Sequence, residues 1–126
     1  MYYEILAKIK NAQRARKDGL QVPFAKFDFE VLKLLAAKGF IDDVQKRSVG
    51  RKNVLDIRLK YKNGQPGVTD FRIQSKPSRR MYRGYRELRP IRQGYGLVVI
   101  STPSGVMTNT EARKKKVGGE YLFEIW

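Results

Sequence analysis

Short hydroxyl side chains cluster where an apolar run ends near the C-terminus. The run Leu97–Ile100 is followed by STPSG, in which Ser101, Thr102 and Ser104 flank a proline, and Pro103 and Gly105 favour a tight turn. Such groups can enter the wide, shallow minor groove of an RNA helix and reach 2′-hydroxyls and base edges. The alternative is an ordinary hairpin whose hydroxyls bond their own backbone.

A second candidate site lies upstream, where arginine and tyrosine alternate. Residues 76–94 hold seven Lys or Arg and one Glu, and the stretch RRMYRGYR places Arg80 and Arg83 on either side of Tyr82. Arginine forks match phosphate geometry, and tyrosine rings stack on bases or sugars. We therefore predict that Tyr82 stacks on nucleic acid. The alternative is that Tyr82 and Tyr85 are aromatic residues of the core or its rim.

The net charge supports a polyanionic partner. The 126 residues contain 27 Lys or Arg and 12 Asp or Glu, which gives a formal charge of +15. Residues 1–75 carry 16 cations and 8 acids, and residues 76–126 carry 11 and 4. Because the excess is shared by both halves, we expect both to face the same polyanion.

Several catalytic chemistries are excluded by composition. The chain has no cysteine and no histidine, so disulfides, Cys/His zinc sites, cysteine nucleophiles and histidine bases are absent. Asp42 and Asp43 are neighbours on a predicted strand and point to opposite faces, so they make no ready Mg²⁺ site. No apolar run approaches the roughly 20 residues of a membrane span. We assign no catalytic residue, metal ligand or cofactor, and we expect no enzymatic activity and no membrane partner.

Helical periodicity organises the N-terminal third of the chain. Ile5, Leu6, Ile9 and Ala12 form the apolar stripe of a first helix that ends near Gly19, with cations on its outer side. Phe27, Val31, Leu34 and Leu35 form the apolar stripe of a second helix. Gly39 follows its last residues as a stop signal, and Pro23 is assigned to an extended linker before this helix.

Strand periodicity follows. Leu55–Tyr61 alternates apolar and polar residues, Asn63–Gly64 is a hairpin turn signal, and Phe71–Ile73 alternates again. Ile41–Arg47 supplies a further strand. Two helices with a three-stranded antiparallel sheet therefore make an N-terminal α+β domain, and the chain as a whole is α+β.

A domain boundary is predicted near Lys76–Pro77, which gives an N-terminal domain of residues 1–75 and a β-rich RNA-binding domain of residues 76–126. The second domain contains the strands LVVIS, GVM and EYLFEIW, with one short helix before the last. Thr108 and Glu111 form the capping box of that helix, and Gly118–Gly119 is expected to stop it.

These segments resemble a known family. GLVVISTPSGVMTNTEARKKKVGGE is similar to the C-terminus of bacterial-type small-subunit ribosomal protein eight, which reads G-[LI]-x-[IV]-[IVL]-S-T-S-x-G-[IV]-[ML]-T-x-x-x-A-R-x-x-x-[VIL]-G-G-E. KPSRRMY resembles the family's R-P-G-x-R-x-Y, KIKNAQ its R-I-R-N-x-Q, and LKLLAAKGFI its L-K-x-E-G-[FY]-[IL]. The similarity covers nearly the whole chain.

The resemblance implies an RNA-binding residue set. Family members contact RNA through a serine–threonine–serine loop, which matches the start of the hydroxyl loop here (residues 101–105), and through the tyrosine after the arginines. The glutamate of G-G-E lies close to these residues. A basic residue precedes the second helix. Pro103 stands where the family has a third hydroxyl, so we expect Ser104 to take over its contact. The RNA-binding residues assigned on this basis, together with the matched first-helix motif and the arginines beside the tyrosine, are Ser101, Thr102, Ser104, Tyr82, Arg80, Arg83, Lys26, Glu120, Lys8, Lys10 and Asn11.

The resemblance also implies a function. It implies a cytoplasmic, non-enzymatic constituent of the ribosome that binds the central domain of small-subunit ribosomal RNA, supports subunit assembly and can repress ribosomal-protein messages. Its partners would be that RNA and neighbouring small-subunit proteins, with one copy per ribosome. An RNA-modifying enzyme or a DNA-binding regulator with a basic docking surface is the alternative.

Overall fold

The computed structural model describes residues 2–88 and 96–126. The chain divides into two compact units, residues 1–69 and 70–126, and each combines helix with antiparallel sheet. The predicted α+β class is confirmed. The division lies earlier in the chain than the boundary expected near Lys76–Pro77.

The first unit packs two helices against one small sheet. The elements are α1 Tyr2–Arg14, β1 Gly19–Pro23, α2 Lys26–Ala37, β2 Ile41–Val49, β3 Lys52–Leu59, β4 Tyr61–Lys62 and β5 Gln65–Pro66. The strand order of the sheet is β1-β3-β2, with β3 antiparallel to both neighbours. A separate two-stranded ribbon, β4 with β5, completes the unit.

Apolar residues at helical and strand spacing form the core of this unit. Ile5, Leu6 and Ile9 of α1 are buried, as the sequence pattern predicted. Leu55 and Ile57 are buried from the sheet side, because alternate residues of β3 point to the same face. The two periodicities therefore meet at one helix–sheet interface.

The third strand of this sheet is not the one that the sequence predicted. Gly19–Pro23, of which Pro23 was assigned to a linker, pairs with β3, whereas Phe71–Ile73 joins the sheet of the second unit. Pro23 is compatible with β1 because this strand lies at the sheet edge, where a missing N–H leaves no ladder bond unmade. Gly19 is required for space, since a Cβ there would lie 2.5 Å from the carbonyl oxygen of Ile57.

The Asn63–Gly64 turn forms as predicted but joins different strands. Both residues have positive φ, 53° and 80°, as a two-residue hairpin turn of the primed type requires. The turn connects β4 to β5 rather than the two longer strands. The hairpin signal is local, so it fixed the turn but not the partners beyond it.

The second unit is built around its last strand. The elements are β6 Phe71–Ile73, β7 Tyr82–Arg83, a 3₁₀ helix Tyr85–Glu87, β8 Leu97–Thr102, β9 Gly105–Thr108, α3 Asn109–Lys115 and β10 Gly119–Ile125. The strand β10 pairs with β6, β7 and β8, and β9 extends the sheet beyond β8. The predicted strands LVVIS, GVM and EYLFEIW are confirmed.

The short helix α3 starts as predicted and ends differently. The Thr108 hydroxyl accepts from the Glu111 N–H at 3.2 Å and donates to the Glu111 carboxylate at 3.0 Å, so this side chain caps the helix. The helix ends at Lys116, which adopts the left-handed conformation at φ 57°, instead of at Gly118–Gly119. The two glycines are thereby left for another role.

A buried side-chain amide fixes the end of the first unit. The Gln13 amide of α1 donates to the carbonyl of Val68 at 3.0 Å and accepts from the Val68 N–H at 3.2 Å. Both residues are buried, so the polar groups of Val68 depend on the Gln13 amide for these hydrogen bonds. Gln13 therefore ties the segment after β5 to the first helix.

We predict that Gln13→Ala lowers the free energy of unfolding by about 2 kcal/mol or more, because it leaves a buried N–H and a buried C=O unpaired. Asn11→Ala, at an exposed position of the same helix, should change it by less than about 0.5 kcal/mol. Urea titration followed by far-UV circular dichroism measures both. Equal effects of the two substitutions would contradict the assigned role.

Candidate nucleic-acid interface

Three of the predicted RNA-binding residues form a row across the second sheet. Ser101 of β8 is paired with Glu120 of β10, and Glu120 is paired with Tyr82 of β7. Directly paired residues on neighbouring strands present their side chains to the same face. The structure therefore brings together side chains that are up to 38 positions apart in the sequence (Tyr82 to Glu120). We call Tyr82, Glu120 and Ser101 the cross-strand row.

Two glycines allow this row to form. A Cβ on Gly119 would lie 2.1 Å from the carbonyl oxygen of Ser101, and one on Gly118 would lie 2.5 Å from that of Arg83. Real Cβ atoms essentially never come closer than 3.0 Å to such atoms. Neither residue needs a positive φ, so space, and not backbone conformation, is what requires glycine here. The two glycines therefore let β10 approach closely both strands that carry predicted RNA-binding residues, β7 and β8.

Glu120 is the polar centre of the row. Its Oε2 accepts a short hydrogen bond from the hydroxyl of Ser75 and one from Nη1 of Arg80 at 3.2 Å. The Ser75 oxygen in turn accepts from the N–H of Met81 at 3.2 Å. Ser75 is fully buried, whereas 43% of the Arg80 side chain is exposed. The Glu120 carboxylate thus fixes the start of the arginine–tyrosine segment, residues 79–86, against β10.

The arginine–tyrosine segment presents its ring and cations outward. Tyr82 is 64% exposed, an unusual fraction for so large an aromatic side chain. Arg83 contacts the Glu87 carboxylate at 3.7 Å and donates to the carbonyl of Tyr82 at 2.9 Å. Arg80 donates one hydrogen bond to Glu120, and its guanidinium has further N–H donors. An exposed ring between two arginines can stack on a base or sugar while the arginines reach phosphates.

The hydroxyl loop divides its three side chains between two uses. The Thr102 hydroxyl donates to the carbonyl of Gly105 at 2.8 Å and accepts from the N–H of Ser104 at 3.1 Å, so it holds the turn itself. Thr102 is buried and, as the neighbour of Ser101, points to the opposite face of β8. Ser101 is half-buried and Ser104 exposed, and neither hydroxyl bonds to any residue in 2–88 or 96–126. The hydroxyls open to a partner are those of Ser101 and Ser104.

The remaining predicted residues belong to the first unit and do not form a single site. Lys8 and Asn11 line a shallow groove of about 270 Å³ between α1 and β1. Lys10 lines a different groove of about 200 Å³, which also contains Arg14 and Arg16. Lys26 is the exposed first residue of α2. These four residues therefore lie in two different grooves and at the start of α2.

The acidic side chains of the described residues do not gather into a metal centre. Asp43 accepts from the N–H of Val44 at 2.8 Å and from the amide of Gln45 at 3.1 Å, so its carboxylate is used within β2. The described residues contain no cluster of three acidic side chains placed to hold a metal ion. Within the same ranges, no helix is both long and apolar enough to cross a membrane.

Comparison with known proteins identifies the family. The sequence profile of the family described as Ribosomal protein S8 matches residues 3–126. The chain belongs to the ribosomal protein S8 family. It is 42% identical over 123 residues to the small ribosomal subunit protein uS8 of Zymomonas mobilis, which covers 98% of this chain and 94% of that protein. It is 40% identical over 131 residues to the uS8 protein of Thermus aquaticus, with 98% and 95% covered.

This ribosomal protein S8 family member contains structural residues that the sequence reasoning missed. Glycine within a strand is a sign of close backbone approach, so the position of Gly118–Gly119 directly before the EYLFEIW strand could have revealed their role. Ser75 carried no such signal. Its partner Glu120 is 45 residues away, and only the folded sheet brings them together.

For this S8 family member, we predict that Gly119→Ala lowers the free energy of unfolding by about 1–3 kcal/mol, because β8 and β10 must separate to admit the methyl group. Gly84→Ala is the matched control, since its Cβ would meet nothing closer than 4.0 Å and its φ is −74°. The control should be neutral or slightly stabilising. Thermal unfolding of both variants provides the comparison, and a Gly119 variant as stable as the control would refute the close approach.

We further predict that Ser75→Ala weakens RNA binding several-fold and lowers the free energy of unfolding by about 1–3 kcal/mol, because the Met81 N–H loses its acceptor and Glu120 loses a donor. Ser78→Ala, in the exposed turn of the same segment, should change neither quantity. Filter binding to small-subunit ribosomal RNA and urea unfolding report the two effects. If the Ser78 variant lost as much affinity as the Ser75 variant, the carboxylate network would not be what fixes the segment.

Proposed function

We propose that this protein is a non-enzymatic constituent of the small ribosomal subunit that binds directly to the central domain of small-subunit ribosomal RNA. Membership of the family and the names of its relatives support a role in the small subunit. The observation that carries RNA binding is the cross-strand row, which places Tyr82, Glu120 and Ser101 on one sheet face beside two arginines.

Each side chain of the row suits a different part of an RNA helix. Ser101 and Ser104 offer short hydroxyls to 2′-hydroxyls and base edges of a minor groove, and Thr102 keeps their turn closed. Tyr82 stacks on a base or sugar, while Arg80 and Arg83 reach phosphates. Glu120 holds Arg80 in place and supplies an acceptor beside the hydroxyls.

The first unit adds electrostatic contacts in this proposal. Lys8, Lys10, Asn11 and Lys26 lie on exposed or half-exposed positions of its helices. The charge of +15 on 126 residues gives the whole protein a long-range attraction to RNA. If about five phosphates are neutralised, the logarithm of affinity should fall with the logarithm of salt concentration with a slope of about −4.

The same binding site supports two further roles. By holding one RNA segment in its folded form, the protein supports small-subunit assembly in the cytoplasm, beside neighbouring small-subunit proteins and with one copy per ribosome. A ribosomal-protein message that contains a similar RNA element would be bound by the same row, which would repress its translation.

The proposal is tested on Tyr82. We expect Tyr82→Ala to weaken binding to the central-domain RNA about tenfold or more, since stacking on an aromatic ring contributes on the order of 1–3 kcal/mol per base. Tyr82→Phe keeps the ring and should retain most of the affinity. Neither variant should shift the unfolding midpoint by more than a degree or two, because the ring is mostly exposed.

Filter binding and nuclease footprinting on the protein's own small-subunit RNA measure these effects. Loss of stability without loss of affinity in the Tyr82→Ala variant would place the ring in the fold and overturn its assigned role. A parent protein that leaves no footprint on the central domain would overturn the proposed function itself.

A further inference from the structure

The hairpin of β2 and β3 extends beyond the core of the first unit. Val44 is the last buried residue of β2, and Leu55 is the first buried residue of β3. All the residues between them except Val54 are exposed. At about 3.3 Å per residue, the ribbon reaches about 17 Å past Val44 at Val49. Val49, at the tip, is 50% exposed.

This extension carries only positive charge. Residues 45–53 contain Lys46, Arg47, Arg51 and Lys52 and no acidic residue. Arg47 is paired with Asp56 at 3.0 Å, and the Lys46 ammonium lies 4.3 Å from the centre of the Phe24 ring. Arg51 and Lys52 make no ion pair with any residue in the described ranges. The two cations nearest the tip are therefore open to a partner.

The extension is held in one shape. Val49 pairs with Lys52, and Ser48 pairs with Asn53 through backbone register and through a side-chain hydrogen bond of 2.9 Å. Gly50, at φ 63°, makes the tight turn between them. The backbone of a two-stranded ribbon with a two-residue turn is already ordered, so it loses little conformational entropy on binding.

The charges lie on both faces of the ribbon. Arg47 and Val49 point to one face because they are two residues apart, and Lys52 joins them as the partner of Val49. Lys46 points to the other face, over Phe24. An acidic protein surface would engage one face, whereas two phosphate strands can flank a ribbon that is positive on both. RNA is therefore the partner that this distribution fits.

We propose that the hairpin tip, residues 46–52, is a second RNA contact that inserts between phosphate strands of a segment other than the one bound by the cross-strand row. The two contacts lie in different compact units. The contact is made to phosphates, so it adds affinity and holds a second RNA segment without reading its sequence. This inference rests on the proposed function, since it requires that the protein binds ribosomal RNA.

Two RNAs separate the two contacts. One is the minimal helix footprinted by the parent protein, and the other is the complete central domain. We expect Arg51→Gln/Lys52→Gln to bind the minimal helix like the parent. On the complete central domain of the RNA, this variant should lose about 3- to 30-fold in affinity. The slope of the logarithm of affinity against the logarithm of salt concentration should become shallower by about two. Lys114→Gln/Lys115→Gln, which removes the same charge from α3, should act equally on both RNAs.

The outcomes are distinct. If the hairpin variant binds both RNAs like the parent, or loses equally on both, the separate contact is overturned. If the parent binds neither RNA, the proposed function fails, and the inference falls with it. An acidic protein partner would show as unchanged RNA binding by the hairpin variant, which also overturns the proposal.

The absence of cysteine gives a direct positional test. Val49→Cys creates a single thiol at the tip, to which an iron chelate that generates hydroxyl radicals can be attached. Asp42→Cys is the control, because it lies exposed at the other end of the same strand, about 23 Å away along β2. We expect the tip probe to cleave the complete domain outside the minimal helix and the control probe to cleave there weakly. No cleavage from the tip, or cleavage confined to the minimal helix, overturns the proposal.

Discussion

The close approach of β10 to its neighbours is the constraint on which the rest of the second unit depends. Three strands pair with β10, and two of them carry the predicted RNA-binding side chains. Gly118 and Gly119 stand where a methyl group would overlap the carbonyl oxygens of Arg83 and Ser101. Without that approach, Tyr82 and Ser101 would still belong to strands, but they would not share a row. The candidate binding surface thus depends on the strand topology and on two positions that have no side chain.

The Glu120 carboxylate organises the basic side chains around it. Like charges within the arginine–tyrosine segment repel one another, and Glu120 offsets part of this repulsion beside Arg80. The ion pair alone contributes little to stability, because much of the Arg80 side chain remains in solvent. The buried hydroxyl of Ser75 adds to this ion pair, since it donates to the carboxylate and accepts from the backbone N–H of Met81. Glu120 therefore acts mainly by orienting groups that face outward.

The sequence was most informative where the signal was local. Helical stripes, strand alternation, the Thr108–Glu111 cap and the Asn63–Gly64 turn all formed, because each depends on residues a few positions apart. Strand partners were less predictable. Phe71–Ile73 was expected in the first sheet and joins the second, because alternation shows that a strand has two faces but not which sheet it joins. The segment around Pro23 was expected to be a linker and forms an edge strand of the first sheet. Among site residues, Ser101 and Thr102 both carry a hydroxyl but point to opposite faces of β8, and the bond from Thr102 to Gly105 forms only in the folded loop.

The exposed features of this protein are unfavourable for the isolated chain. A tyrosine that is 64% exposed gains little from burial, and a charge of +15 destabilises the compact state by self-repulsion. Both costs are relieved by a polyanion that stacks on the ring and neutralises the cations. A partner that binds only the folded form stabilises it in proportion to the logarithm of its concentration relative to Kd. In our proposal, ribosomal RNA is therefore part of what holds this fold together, and the residues least useful to the free protein are those that the complex uses most.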